Sequence, residues 1–316
     1  MSSRQIPVEG AWPEQFPLLS FISKELEAKF PYFSRIVERQ QARFGPFWLE
    51  SFEDELTRRF HQDPDLLRRA VEAYGHFCLD GMRLQSELEE TGHYPRKTHA
   101  EASREVYQDE RYMLDRYLPG IHLTHFLWPH HFLQYLFFLN RFIPLYRKAE
   151  AISFLDVGVG TGFYSKEVLR NLPNAQGLGV DLSPYSLRAA SELVNSWGFQ
   201  ARYSSRLADI TSGLKEPPSD LIISVEVLEH LDDPPRFIKA LVNHLAPGGH
   251  GFITAALTAG EVDHIYLYHE ASEVARQLEA AGVKVLDHAE HPAYPASRAG
   301  QVVPRSAAFI IRKPPY

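Results

Sequence analysis

Apolar positions follow two different rhythms along the chain. Up to about residue 150 they recur at helical spacing: Phe52, Leu56 and Phe60 share one face, and Leu66, Leu67, Val71, Tyr74, Phe77 and Cys78 form a second stripe. Asp63-Pro64 opens that second stripe, since an aspartate can cap a first turn and proline is tolerated in it. Breaks at Gly45-Pro46, at 91–95 and at Leu118-Pro119-Gly120 divide the helices. From Ala151 the rhythm changes to short β-branched runs separated by amphipathic helices, the pattern of βαβ units on a parallel sheet. Seven strands are predicted at 152–157, 177–180, 201–204, 221–225, 251–255, 283–287 and 307–311, with helices at 164–171, 185–197, 234–245 and 271–281. The chain is therefore expected to divide into a helical part, 1–150, and an α/β part, 151–316.

The most apolar stretch, 122–146, is interrupted by His125, Pro129, His130, His131, Gln134, Asn140 and Arg141. It is too polar for a bilayer span and reads as a buried helical pair. Residues 1–16 carry Glu9, Pro13 and Glu14 where a signal peptide needs an apolar core, so no export address is expected. A composition of 44% apolar and 23% charged residues over 316 positions is ordinary for a globular protein and excludes disordered and fibrous classes. The net charge of −7 supplies no bulk positive field for phosphates, which argues against a nucleic-acid partner. Cys78 is the only cysteine, so no disulfide can form within the chain, as suits the cytoplasm.

The sharpest chemical signal is Phe154-Leu155-Asp156-Val157-Gly158-Val159-Gly160-Thr161-Gly162-Phe163, a predicted strand running through a glycine turn into a helix. Glycines allow a backbone to approach a ligand closely. A dinucleotide fingerprint would place its third glycine at Phe163, whereas here Gly158, Gly160 and Gly162 alternate behind Asp156, which argues against NAD. Asp181-Leu182 ends the second strand, where a carboxylate can accept hydrogen bonds from both hydroxyls of a ribose. Asp209-Ile210 follows the third, where the acid can accept from an adenine amine while the isoleucine packs on the ring.

In these residues the sequence resembles the class I S-adenosylmethionine-dependent methyltransferases over about 151–313. Asp156 to Gly162 resembles their first motif, Asp181 their ribose acid, Asp209 their adenine contact, and the segment from Val225 through Glu226 and Glu229 to His230 their fourth-strand motif. The resemblance implies a Rossmann-like seven-stranded sheet with an antiparallel last strand. It also implies S-adenosylmethionine as cofactor, with Glu226 joining Leu182 and Ile210 among the residues that hold it.

Methyl transfer from a sulfonium depends on alignment and exclusion of water, and a base is needed only for some acceptors. His230 is the candidate base. Glu226, Glu229, His230 and either His264 or His269 have the residue types of a divalent-metal site, and Glu-x-x-Glu-His resembles metal-dependent ubiquinone-pathway and small-RNA 3′-end methyltransferases. Metal-free relatives share the Glu-His pair, and no metal is assigned. The helical part is expected to cover the acceptor: Tyr107, Tyr112 and Tyr117 recur every five residues, and His125, His131, Gln134 and Asn140 are polar groups embedded in apolar sequence that call for partners. Tyr117 and Asn140 complete the candidate catalytic set.

The reading is thus a methyltransferase acting on a small molecule, of the kind found in specialised metabolism. An alternative that uses the same cofactor is cyclisation of its own amino-acid arm with release of methylthioadenosine, resembling azetidine-2-carboxylate synthases; a chamber without an acceptor channel would favour it. A non-catalytic cofactor-binding protein is the third reading, opposed by the intact Asp156, Asp181 and Asp209.

Overall fold

The computed structural model describes residues 15–60, 63–95 and 98–315. Most of the segment on which the reading of an absent export signal rests, 1–14, lies outside them. Helices α1 (Pro17–Lys29), α2 (Ile36–Phe44), α3 (Pro46–Phe60), α4 (Pro64–Thr91), the short α5 (His99–Ala102) and α6 (Glu110–Tyr112), α7 (Leu118–Leu127) and α8 (Pro129–Phe137) precede the sheet. Asp63 caps α4 as expected, its carboxylate accepting from the Leu66 amide, and Gly92 ends the helix in the left-handed conformation. No helix of the described residues is long and apolar enough to cross a membrane.

The strands are β1 (Ile152–Val157), β2 (Ala175–Asp181), β3 (Tyr203–Leu207), β4 (Ser219–Ser224), β5 (Leu245–Leu257), β6 (Lys284–Pro292) and β7 (Arg305–Arg312). Helices α9 (Phe163–Asn171), α10 (Pro184–Ser196), α11 (Pro234–Asn243) and α12 (Ala271–Ala280) pack between them. The sheet order is β3-β2-β1-β4-β5-β7-β6, with β7 antiparallel to both neighbours and the rest parallel. This is the expected α/β architecture, and the strand order reverses beside β1, which opens a crevice at the carboxyl ends of β1 and β4.

Two expectations need correction. Leu118-Pro119-Gly120 does not divide helices: residues 110–127 are helical throughout, the π-helical turn 113–117 running directly into α7, which has Pro119 as its second residue. Strand β5 begins six residues earlier than the β-branched pattern suggested, because Gly249 brings its backbone so close to β4 that a Cβ there would meet the Asp220 carbonyl at 2.7 Å.

One apolar cluster runs from Leu19 and Trp48 through Phe126 and Phe138 to Phe252 and Ile310, so the helices before β1 share a core with one face of the sheet. The expected helical pair is α7 and α8; Phe138 packs edge-on against Phe252 of β5 at 5.0 Å. The Trp48 indole is fully buried and donates to the Phe126 carbonyl at 2.8 Å, a packing role.

Inside this shared core lies an ionic knot. Lys166 of α9 is wholly enclosed and donates to Glu55 of α3 at 2.8 Å and to Glu167. Glu55 also faces His122 of α7 at 3.1 Å. Burial alone would push the Glu55 carboxyl up, but the Lys166 ammonium and His122 hold it well below the usual range. Replacing Lys166 by Met leaves two buried carboxylates without their cation and is expected to cost about 3–5 kcal/mol in urea denaturation. Adding Glu55→Gln to that variant should recover part of the loss; a loss in Lys166→Met below about 1 kcal/mol would show that water reaches the knot.

Candidate functional site

The glycine loop leaves β1 and enters α9 through three residues with positive φ: Gly158 at 72°, Gly160 at 52° and Gly162 at 78°. Two of them are also steric necessities. A Cβ on Gly158 would meet Val227 at 2.5 Å, and one on Gly162 would meet the Ala190 backbone at 2.7 Å. Asp181, at the end of β2, is aimed across the loop: its carboxylate accepts from the Gly160 amide at 3.1 Å and the Ser183 amide at 2.8 Å. Asp209 is exposed and caps the turn 210–212 through the Thr211 amide at 2.7 Å, while Ile210 is buried in the core beside it. Leu182 is 43% exposed, a large apolar side chain presented to the same space.

Asp156 stands behind the loop, 3% exposed, and accepts from the Ser165 hydroxyl at 2.7 Å. Burial pushes its carboxyl up to about 7. Glu226 follows β4 with φ of 52°, a conformation rare outside glycine, and is held by Thr254, whose hydroxyl donates to it at 2.6 Å. Burial pushes Glu226 up to about 7, and burial together with the Glu226 charge pushes Glu229 well above its ordinary value. Both carboxylate oxygens of Glu229 are buried without a hydrogen-bond partner.

These residues line a cavity of about 990 Å³ that runs from the glycine loop under the helices before β1. There the structure assembles a cluster around Asp263, which sequence reasoning missed. Its Oδ2 accepts from the Tyr117 hydroxyl at 2.7 Å and the Tyr107 hydroxyl at 2.9 Å, and His230 Nδ1 lies 3.1 Å from its carbonyl oxygen. Burial favours the neutral acid, yet the imidazoles of His230 and His264 and the two hydroxyls hold Asp263 below its usual value. Tyr107 and Tyr117 each end a π-helical turn, 103–107 and 113–117, and those turns bring two hydroxyls ten residues apart onto one oxygen. Nothing in the spacing of Asp263 marked it; only the preceding repeat of tyrosines did.

His230 is thereby placed in the cavity, but Asn140 is not. Asn140 is exposed and absent from the cavity wall, because it lies about one and two-thirds turns beyond Gln134 and so points away from the side Gln134 presents. Its candidate catalytic role is withdrawn. Of the metal-type residues, Glu229, His230 and His264 offer one atom each within 4.8 Å of one another, a set that could hold a divalent cation. His269 is exposed and stands apart from this group.

The donors and shape fit S-adenosylmethionine: carboxylates at the ends of β2 and β3, Asp181 and Asp209, line the cavity beside a glycine turn that has no side chain to hold a ligand off its backbone. A family model described as a methyltransferase domain matches residues 155–250. The ubiquinone biosynthesis O-methyltransferase of Cupriavidus pinatubonensis is 30% identical over 100 residues, 32% of this chain and 39% of that one. The chloroplastic tocopherol O-methyltransferase of Arabidopsis thaliana is 32% identical over 112 residues, 34% of this chain and 32% of its own. The match thus spans about two fifths or less of the length of these curated relatives. A solved phospholethanolamine N-methyltransferase of Haemonchus contortus, 20% identical, shares the fold at a TM-score of 0.50 over 66% of this chain and 60% of that one.

Because Asp156 titrates near 7 when folded and near 4 when unfolded, the native state holds the extra proton between those values, and stability falls as pH rises through them. Without ligand, Asp156→Asn should therefore gain on the wild type by a few kcal/mol between about pH 4 and pH 7, and no further above. Chemical denaturation at matched pH reads the difference; a difference independent of pH would remove burial as the cause.

Proposed function

We propose, from the premise that residues 155–250 form a class I S-adenosylmethionine-dependent methyltransferase domain, that this chain transfers a methyl group to a small molecule. The observation that carries the reading is the continuity of one cavity. The residues suited to the cofactor (Gly158, Asp181, Asp209) and a polar cluster able to orient an acceptor (Tyr107, Tyr117, His230, Asp263) line the same space.

The bound cofactor supplies an electrophilic methyl carbon on a sulfonium. Everything else falls to the chain. Asp181 and the glycine loop fix the nucleoside end, and the aromatic wall excludes water. Asp263, held ionised, fixes the tyrosine hydroxyls. The hydrogen bond from His230 Nδ1 to the Asp263 carbonyl leaves Nε2 with a free lone pair to accept a proton from an acceptor hydroxyl. Such a transfer needs no metal.

The intramolecular alternative calls for a sealed chamber. Here the cavity instead reaches a mouth framed by the exposed side chains of Tyr32, Met82 and Tyr294, which favours an external acceptor. The net charge of −7 argues for a small molecule over a nucleic acid.

Asp181→Ala should weaken cofactor binding more than tenfold, about 1.4 kcal/mol, in a titration; an unchanged isotherm would remove the cofactor assignment. Purified protein given S-adenosylmethionine alone should yield no product by mass spectrometry, and addition of a small-molecule extract should produce S-adenosylhomocysteine. In that assay Tyr117→Phe should turn over at least tenfold more slowly with cofactor binding unchanged. Methylthioadenosine without any extract would establish the cyclisation instead. Loss of activity under EDTA would assign Glu229, His230 and His264 to a cation.

A further inference from the structure

The cavity is larger than its cofactor end requires. At about 990 Å³ it stands at the top of the range, roughly 300–1,000 Å³, of sites that enclose one ligand. Its two ends also differ in charge. The wall beside the glycine loop carries Glu226 and Glu229, with Asp263 next to His230, fitting a cofactor that brings a sulfonium and an ammonium. The arm beneath α2 and α8 carries Arg39 and Arg43 instead. The Glu89 carboxylate, which also borders this arm, is engaged by Arg298 at 3.1 Å and the Val302 amide at 3.2 Å.

Arg39 and Arg43 stand one helical turn apart on α2, both exposed where the arm meets solvent, and neither guanidinium has an ion-pair partner among the described residues. Like charges at that spacing repel. Among the buried polar atoms of the cavity wall, His130 Nδ1 has no hydrogen-bond partner, nor have His125 Nδ1 and Gln134 Oε1, which lie towards α9, where His125 stacks on Phe163 and Gln134 donates to the Tyr164 hydroxyl. Burial, with the charges of His131, His291 and Arg43, holds His130 well below its ordinary value, so its imidazole is neutral and can still donate one N–H. The Trp128 indole stacks on the His130 ring, centroids 5.3 Å apart and planes 21° apart, and forms a flat wall beside these groups. An unmatched buried polar atom in a native fold asks for a partner, and His130, whose imidazole feels the Arg43 charge, shares the arm with the two arginines.

We propose that this arm is the acceptor subsite and takes an aromatic organic anion, its carboxylate or phosphate between Arg39, Arg43 and His130 and its ring against Trp128. The anion anchors the end remote from the methyl group, and the body of the molecule extends along the cavity towards Asp263. The inference rests on the methyltransferase reading for what happens at the far end, but anion binding itself does not.

The test is calorimetric titration of the full chain with 3-phenylpropanoate, phenyl phosphate and the uncharged methyl 3-phenylpropanoate, each with and without S-adenosylmethionine. At least one anion should bind tenfold or more tighter than the ester, and the stronger of the two identifies the head group. The double variant Arg39→Gln, Arg43→Gln should lose that preference while its S-adenosylmethionine isotherm stays unchanged. Equal binding of ester and anions, no binding of any probe, or an anion preference that survives in the double variant would each overturn the proposal. If the wild type binds the anion and not S-adenosylmethionine, the methyltransferase reading fails and the anion subsite stands.

Discussion

Because Lys166 is wholly enclosed, its ammonium has no water to turn to, and the carboxylates of Glu55 and Glu167 must lie where they do. That requirement joins the two rhythms of the chain. Lys166 belongs to the first turns of α9, its amide bonded to the Gly162 carbonyl, so the helix that starts at the glycine loop is also the helix that anchors α3 and, through His122, α7. One turn along α7, His125 stacks on Phe163 with ring centroids 4.1 Å apart. A shift of the covering helices would strand buried charges, a cost of several kcal/mol that no regained hydration offsets. The cover and the loop beneath it therefore form one rigid unit.

Rigidity there lets strain persist at the catalytic end. Glu226 holds a positive φ, and Glu229 keeps two buried oxygens without partners. Asp156 is buried as an acid that would rather be neutral. Each is unfavourable in isolation, and together they create a strongly acidic wall that a cationic ligand relieves. The Asp263 cluster is the exception, because two tyrosine hydroxyls satisfy its carboxylate and His230 Nδ1 its carbonyl before any ligand arrives.

What the sequence disclosed and what it hid separate along physical lines. Strand β1 and helices α9 to α12 were legible because hydrophobic period and turn residues are local signals, and the glycine loop was legible because positive φ confines it to glycine. Asp181 and Asp209 were legible from their place at strand ends. Asp263 was not: it sits in a loop after β5 with no local pattern, and its importance comes from contacts with residues more than 140 positions away. Asn140 failed for the complementary reason, since a polar residue in an apolar run signals burial only if its helical phase agrees, and its phase turns it to solvent. The expected break at Leu118-Pro119-Gly120 took a proline for a helix end, whereas the helical run from the π-turn passes through it.

The same division bears on how ligands pass. The shared core of α1, α3, α4, α7 and α8 with the sheet leaves no plane along which the whole cover could lift. Residues 98–117 are held differently, by individual polar contacts: His99 to Asp232 at 3.1 Å, the Ser183 hydroxyl to the Tyr107 carbonyl at 3.0 Å, and the tyrosines to Asp263. Two π-helical turns interrupt that segment, and its apolar cluster is a small one. Segments with few buried apolar contacts open at lower free energy than the core they cover. This strip is therefore the less firmly packed part of the cavity wall, while Leu182 and Asp209 at one end of the cavity and Arg39 and Arg43 at the other are already exposed.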